Sequence, residues 1–589
     1  MLSRGFRRWL SRGLSTRPVV QRVSPVLSLI TDENETELPH WVRTPVELSI
    51  HRARSLADLQ AVGRMQALGP DAATSFLSKL AALSPPEEAL QVPEVAAAVQ
   101  AVLDGAHELP VGSAAFAYRS LLYLRLPSSD PRLANLRTAL AKALDRLPYG
   151  QLVSLAAFHA EFAEAEAEAA RLQQKLEGQV AGRMMGELSS TDDLLLLMHK
   201  LPKLSIQIRG GSAESEEQED WERALGAKAL DLVSGMSGGE CVRTVSQLAA
   251  TGNRHRPLLN ALASQLESRK EALSLRQWLN LISAASRLSF NSRSIFNRIA
   301  ADLPAQLAEL RKGSDAAALM SDLGQWRLRI PPLLAALAER LPSLQLKPSE
   351  RALLLFGFAR LAYPLPKEAA EHLMRLEKKE VLSWGQRGAQ LWLDSLWSAA
   401  SLELAPGHLL QDLIEDSELC RQLIGCDGFR SVSNRVKLLN IRGLLELEHG
   451  IIPAHPALTL QEISLSKDQE AQMIAYKKIP ALAISKILSE HILDPEVKDG
   501  AFDFISQDGV HYCASWREGE DKRCALLLWD FPDYTQYGMP VLTGPGQLGL
   551  RLSAKRGLTV YEVEQRQFVL KRSLKAKIEF LRSLLVQSS

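Results

Sequence analysis

The sequence predicts a mainly α protein, an array of two-helix repeats followed by a small C-terminal α/β domain. Three observations predict it. Between about residues 50 and 430 one pattern recurs: a Leu/Ala-rich amphipathic segment, a short break, then a second such segment. Hydrophobic residues make up 46% of the 589 residues but aromatics only 6%, a balance that suits helices packed through Leu and Ala. From Cys524 onward the chain changes to an apolar strand, a glycine-punctuated loop, a basic helix and a second strand.

Residues 1–30 read as an address. They carry six Arg, and no acid occurs before Asp32. Leu2, Phe6, Trp9, Leu10 and Leu14 share a helical face. An Arg-rich, acid-free, amphipathic stretch fits a mitochondrial presequence better than a secretory signal, which needs a longer apolar core. Arg12-Gly13-Leu14 before Ser15 reads as a processing site. A chloroplast transit peptide and a basic RNA-binding arm are the alternative readings. No run of eighteen apolar residues occurs, so no membrane span is expected.

The array is expected over residues 40–430. Its clearest copies are Trp278 to Phe290, Ala352 to Tyr363 and Leu391 to Leu404. Less regular ones are Phe116 to Leu126, Gln151 to Phe162, Asp193 to Leu204, Cys241 to Gly252 and Ala317 to Trp326. Neighbouring copies start roughly 35 to 48 residues apart, about the period of two-helix solenoids. Such a pair is apolar on two sides and is buried only by stacking on the next pair. Ala284, Ala285, Gly357, Ala359, Ala399 and Ala400 allow close helix approach. Trp278, Trp326, Trp392 and Trp397 lie on apolar stripes and are read as core rather than as base-stacking platforms. An Ala/Glu-rich helix is expected from Glu161 to Glu177, an acidic loop from Gly210 to Glu222, and a turn at Gly235 to Gly239. Arg254, Arg256, Arg293, Arg298 and Arg327 are candidate cations for an RNA-facing surface.

Residues 431–477, with Pro453 and Pro456, are expected to form a hinge. The domain over 478–589 follows, entered through a helix from Ala481 to Leu493. Ala525 to Trp529 is too short for a free-standing helix and reads as a buried strand after a hairpin strand, His511 to Trp516. Leu548 to Arg556 has helical spacing and ends on Gly557, a natural C-cap before the strand Leu558 to Val563. Strand, helix, strand in so short a span implies a right-handed crossover and a parallel pair.

Charge excludes any global demand for nucleic acid: 69 Lys and Arg stand against 68 Asp and Glu. Locally the balance differs. From Leu548 to the end there are nine cations, Arg551, Lys555, Arg556, Arg566, Lys571, Arg572, Lys575, Lys577 and Arg582, against three acids. Such an excess suits phosphate contact, and the first seven are the candidate RNA-binding residues. Tyr534, Tyr561 and Phe568 are candidates for either stacking or core. The five Cys and twelve His show no metal-ligand spacing, so no metal or other cofactor is expected. Cys513 and Cys524 could face each other across the hairpin, with reduced buried thiols as the default.

These C-terminal residues resemble the RAP domain, a restriction-endonuclease-like module of organellar RNA-binding proteins. Asp530 and Pro532 match its first strand end, Arg551 and Gly557 its helix, and Phe580-Leu581 its final helix. The family's glutamate, glycine and helix lysine fall here on Leu528, Phe531 and Gly549. The repeats in turn resemble octotricopeptide and heptatricopeptide arrays, with Leu396-Trp397-Ser398-Ala399-Ala400 as the nearest match. The mitochondrial proteins related to Fas-activated serine/threonine kinase share that layout.

The resemblance implies a mitochondrial matrix protein that binds single-stranded or ribosomal RNA, in RNA stability, processing or ribosome assembly, with mitochondrial ribosomal proteins as further partners. A structural constituent of the mitochondrial ribosome, a protein-binding scaffold and a metal-dependent RNA endonuclease are the rivals. Phosphodiester cleavage needs two or more carboxylates around a divalent ion. Leu528 cannot ligate one, which leaves Asp530 with Glu562 or Glu564. A domain that binds without cutting is expected, with no catalytic residue.

Overall fold

The computed structural model describes residues 44–589 except 66, 84–89, 127–129, 163–166, 201–224, 427, 454–455, 474, 476, 494–499, 519–521 and 588–589. The address over residues 1–30 and the acidic stretch Gly210 to Glu222 lie outside the described residues. What is described is mainly α, with a small four-stranded sheet after the helical repeats. Two compact units divide the chain, one up to Gly235 and one from Met236. The division falls in the turn expected at Gly235 to Gly239, where Ser237 caps the next helix in a reciprocal box with Glu240.

In the first unit, helices Pro70–Ala82, Val111–Tyr123, Tyr149–Phe162 and Thr191–Lys200 stack in one row. Pro93–Asp104, Leu133–Ala143 and Ala167–Glu187 form a second row. Phe76, Tyr118, Leu121 and Leu136 are fully buried between them. The Ala/Glu-rich stretch expected as one helix from Glu161 instead contributes to the end of one helix and, from Ala167, to the next.

The second unit repeats the plan with more regularity. Its front row is Gly238–Thr251, Leu275–Leu288, Gly313–Trp326, Pro348–Arg360, Gln386–Ser401 and Phe429–Glu448. Arg256–Arg269, Arg293–Gln306 and Pro331–Arg340 stack behind. Every Leu/Ala-rich segment singled out above lies largely within a front-row helix of its unit. Trp278, Trp326, Trp392 and Trp397 are between 1% and 5% exposed, core residues as their spacing required. Gly357 shows how close the rows come: a Cβ there would sit 2.5 Å from Met320 Cγ and 2.9 Å from the Met320 carbonyl oxygen.

The front helices also end alike. The first or second residue after each helix turns left-handed: Gly252, Ser289, Arg327, Ala362, Glu403 and Gly450 all have φ between +47° and +71°. The next N–H then reaches back five residues, as from Phe290 to Ala285, Leu328 to Leu323, Tyr363 to Phe358 and Leu404 to Ala399 at 2.8–3.1 Å. This is the Schellman closure, which satisfies carbonyls that a helix end leaves orphaned. The first unit has one as well, at Arg125.

On the back row the repeat step is fastened by side chains. Arg298 Nη2 donates to the Glu271 carbonyl at 2.8 Å, and its Nη1 to that of Leu266. Arg340 donates twice to the Leu310 carbonyl at 3.0 and 3.1 Å, and Gln306 to that of Leu273 at 2.9 Å. Each ties a helix to the trailing end of the one before it.

Residues 431–477, expected as a hinge, do not form one throughout. Phe429–Glu448 is a 20-residue helix that completes the front row. Its Leu438, Leu439, Ile441, Leu444 and Leu445 are at most 1% exposed. They share one apolar cluster with Trp397 of the preceding helix and with Val510, Tyr512, Ala525, Leu527, Leu548 and Leu552 of the C-terminal domain.

That domain is a sheet in the order β1 (Ala501–Ile505), β2 (His511–Glu518), β3 (Lys522–Trp529), β4 (Leu558–Glu564). The first two pairings are antiparallel and β3 with β4 is parallel, as the strand–helix–strand reading required. The crossover helix Gly544–Lys555 covers one face together with the front row. Helices Lys478–Ile487, Gln565–Leu570 and Leu574–Gln587 cover the other, over Cys513, Trp516, Leu526, Leu528 and Tyr561. Cys524 is opposite Trp516, so the two hairpin thiols do not face each other. Both are free and buried, and burial pushes the Cys513 thiol up to about 12.

Candidate nucleic-acid interface

The C-terminal cations sort into two groups. Arg551 is one-fifth exposed on the crossover helix and is turned into the array. Its Nη2 donates to the Ala400 carbonyl at 2.7 Å, its Nη1 to the Ser401 carbonyl at 3.1 Å and to Glu403 Oε1 at 3.0 Å. Its Nε lies 2.7 Å from Glu448 Oε1. The Gln386–Ser401 helix thus ends on a cation, where the helix dipole favours one. Arg556 is held by two carboxylates. Its Nε and Nη2 donate to Asp508 at 2.8 and 2.7 Å, its Nη1 and Nη2 to Glu446 at 2.6 and 2.9 Å. These bonds raise the Arg556 pKa and hold the Glu446 carboxyl below its usual range. Bidentate pairs of this kind fix geometry as well as charge. Both arginines therefore seat the domain on the array.

Lys555, Arg566, Lys571, Arg572 and Lys575 are exposed, and none has an ion-pair partner among the described residues. The last four flank the turn between Gln565–Leu570 and Leu574–Gln587. Lys571 Nζ lies 5.6 Å from the Phe580 ring centre. The turn also exposes Val569, Leu570 and Leu574. Tyr561 and Phe568, left open between stacking and core, are core: each is at most 3% exposed, and Tyr561 stacks on Trp516 at 5.6 Å. Tyr534 is half-buried, and burial beside Glu564, Glu562 and Asp533 pushes its hydroxyl up to about 12.

Three of the five array cations are engaged as well. Arg254 donates to the Leu288 carbonyl, and Arg298 is fastened as above with its guanidinium 5.4 Å from the Trp278 ring. Arg327 donates to the carbonyls of Phe531 and Tyr534 and lies 4.6 Å over the Phe531 ring. Its carbonyl accepts from the Gln536 N–H, part of an isolated parallel bridge between Leu328 and Gln536. Arg256 and Arg293 stay exposed.

The carboxylates at the open end of the parallel pair are tied locally. Asp530 Oδ1 accepts from the Phe531 N–H at 2.7 Å, and Asp533 Oδ2 from the Asp530 N–H at 2.7 Å. Glu562 Oε2 accepts from the Trp529 indole at 2.7 Å. Lys477, 8% exposed at its side chain, lies 2.5 Å from Asp533, donates to the Leu528 carbonyl at 2.6 Å and sits 5.0 Å over the Trp529 ring. No cluster of three or more His, Cys, Asp or Glu suited to a metal occurs among the described residues.

Sequence reasoning missed the use of Gly544, Gly546 and Gly549. Their G-x-G-x-x-G spacing, opening a helix between parallel strands, is one that lets a backbone approach a pyrophosphate. Here it lets the helix approach the array. A Cβ on Gly544 would stand 1.8 Å from the Ala359 carbonyl oxygen. Missed too was a polar chain: Trp397 Nε1 donates to Asn440 Oδ1 at 3.0 Å, and Asn440 Nδ2 donates to the Asp508 carbonyl at 2.6 Å, behind the carboxylate that holds Arg556. Two buried amide and indole groups that satisfy one another across sequence leave no pattern in the chain itself.

So the crossover helix and the loop before it lie over the C-terminal ends of the front-row helices Gly313–Trp326, Pro348–Arg360, Gln386–Ser401 and Phe429–Glu448. A known protein is similar over most of the chain. It is FAST kinase domain-containing protein 4. The human protein is 24% identical over 447 residues, 72% of this chain and 68% of that protein. The rat protein is 23% identical and the mouse protein 24% identical, each over 446 residues with the same shares covered. No protein-family model matches the chain.

Proposed function

We propose that this chain is a mitochondrial RNA-binding protein that acts in organellar RNA stability, processing or ribosome assembly, and that its C-terminal module binds RNA without cutting it. The observation that carries the reading is the exposed cluster Arg566, Lys571, Arg572 and Lys575, without ion-pair partners among the described residues, in a domain where Arg551 and Arg556 are held by carboxylates. Similarity to FAST kinase domain-containing protein 4 supports it, as does the RAP-like order of strands and helix. Non-cleavage is supported by the engagement of Asp530 and Glu562 with a backbone N–H and an indole. Residues 1–30 support the matrix as the compartment.

The test is the salt dependence of affinity for single-stranded RNA. Each phosphate contact on a single strand contributes a slope of about −0.7 in log K against log salt. Changing Arg566, Lys571, Arg572 and Lys575 together to Gln should lower the slope by up to about 3. Unchanged slope and affinity would remove this surface from the interface. Labelled RNA incubated with Mg²⁺ or Mn²⁺ should stay intact; cleavage that an Asp530→Ala variant loses would establish the endonuclease instead.

A further inference from the structure

The turn between Gln565–Leu570 and Leu574–Gln587 carries more than charge. Every residue from Val569 to Lys575 is exposed, and three of them are aliphatic: Val569 at 56%, Leu570 at 69% and Leu574 at 53%. Single apolar side chains on a surface are ordinary, but three at one tip are not scattered. They are held out rather than folded in. Phe568 on one side and Leu581 on the other are at most 1% exposed and pin both helices to the sheet, in one cluster with Tyr561 and Val563. The Lys571 N–H closes on the Phe568 carbonyl at 3.2 Å, and Ser573 Oγ accepts from the Ala576 N–H at 3.2 Å. Around the tip stand Arg566, Lys571, Arg572 and Lys575, all exposed, and no acid occurs between Glu564 and Glu579.

We infer that this turn docks on an anionic phospholipid surface, with Val569, Leu570 and Leu574 entering the acyl boundary and the four cations meeting headgroup phosphates. The inference goes beyond the RNA reading, with which it shares the cations but not the aliphatic residues. Charge complementarity selects an anionic lipid. The apolar tip separates lipid from RNA: single strands are gripped by aromatic faces stacked on bases, and Val and Leu have no such face. Membrane-surface segments combine the two parts seen here, apolar side chains that sink about 5–10 Å and basic ones that stay at the headgroups. A small apolar anchor by itself binds marginally and reversibly, and a basic patch beside it supplies the second signal. The contact is peripheral, since no helix among the described residues is long and apolar enough to cross a membrane. A chain docked this way has the four cations withdrawn from RNA.

The full chain should be mixed with vesicles of phosphatidylcholine alone, and of phosphatidylcholine with phosphatidylglycerol. Residues 1–30 are themselves basic and amphipathic, so the contact is located by hydrogen exchange rather than by binding alone. Exchange from Val569 to Lys575 should slow on the anionic vesicles and stay unchanged on the neutral ones. Changing Val569, Leu570 and Leu574 together to Ser should abolish that protection. The same variant should melt as the wild type does, because all three side chains face solvent, and should keep the salt slope for RNA. Changing the four cations to Gln should remove the protection as well. Exchange at this turn that does not slow on anionic vesicles, or protection that survives the serine variant, overturns the inference. So does a serine variant that loses RNA affinity, which would give the tip to RNA alone. The RNA reading fails separately, if the wild type binds RNA without a salt-dependent slope.

Discussion

Two residues state most directly how this chain is held. Gly544 carries a contact no side chain can make, because the Ala359 carbonyl occupies the position of its Cβ. Gly544→Ala should force the crossover helix off the array and destabilise the second unit by about 1–3 kcal/mol, read as a lower urea midpoint. An unchanged midpoint would mean the helix start is not seated there. Asp322 is the opposite case, a charge kept where it is unwelcome. Burial raises its carboxyl from 3.8 to about 6, against a bond from Ser283 and the attraction of Arg287 that lower it. Folding therefore favours the protonated form, a stabilisation complete below pH 3.8 and lost as pH rises through 6. Asp322→Asn should stabilise the protein at pH 7.5, on the order of 1 kcal/mol, and the gain should shrink toward pH 4. Destabilisation without a pH trend would contradict the assignment. Burial of the four Trp was legible because each sits on a helical stripe; the roles of Gly544 and Asp322 depend on partners far along the chain or across a repeat, and no local pattern encodes them.

At the scale of the element, most front-row helices were legible to within about five residues because apolar periodicity of 3.6 survives degeneration of the repeat. Their ends were less so. A left-handed closing residue usually announces itself as Gly. Here Ser289, Arg327, Ala362 and Glu403 occupy the site, so the punctuation is missing although the geometry is kept. Each carries the strain of a Cβ at positive φ. Ala362→Gly should relieve it and raise stability by about 0.5–1 kcal/mol, measured by calorimetry; a loss instead would show that the alanine methyl contributes packing that outweighs the strain. The helix Phe429–Glu448 was read as part of a hinge for another physical reason. It is buried from two sides, by the array and by the sheet, so its apolar residues form no single stripe. The exposed cations Arg566, Lys571, Arg572 and Lys575 were legible as a charge run. Sequence alone gave no means of separating them from Arg551 and Arg556, whose carboxylate partners lie 48 to 148 residues away in the chain.

At the scale of the whole molecule, the place where folding units divide is not where the sequence changes character. Composition shifts near residue 478, from helical repeats to sheet, but the second unit runs from Met236 to the end. The sheet explains why. Ala525, Leu527 and Tyr512 on one face are buried against Leu438, Leu439 and Leu444 of the front row and against the crossover helix, in one continuous cluster. Cut at residue 478, that face loses half its cover, and Arg551 and Arg556 lose Glu403, Glu446 and Glu448. Unpaired edges and exposed apolar faces of this kind lead to association rather than folding. A fragment of residues 236–589 should therefore unfold cooperatively, with native-like helix content by circular dichroism and a protease-resistant core. A fragment of residues 478–589 should aggregate, or show the narrow amide dispersion and broadened lines of a loosely packed sheet. A well-dispersed, monomeric spectrum from the shorter fragment would show that the module folds without the array, and the carboxylates beneath Arg551 and Arg556 would then serve docking alone.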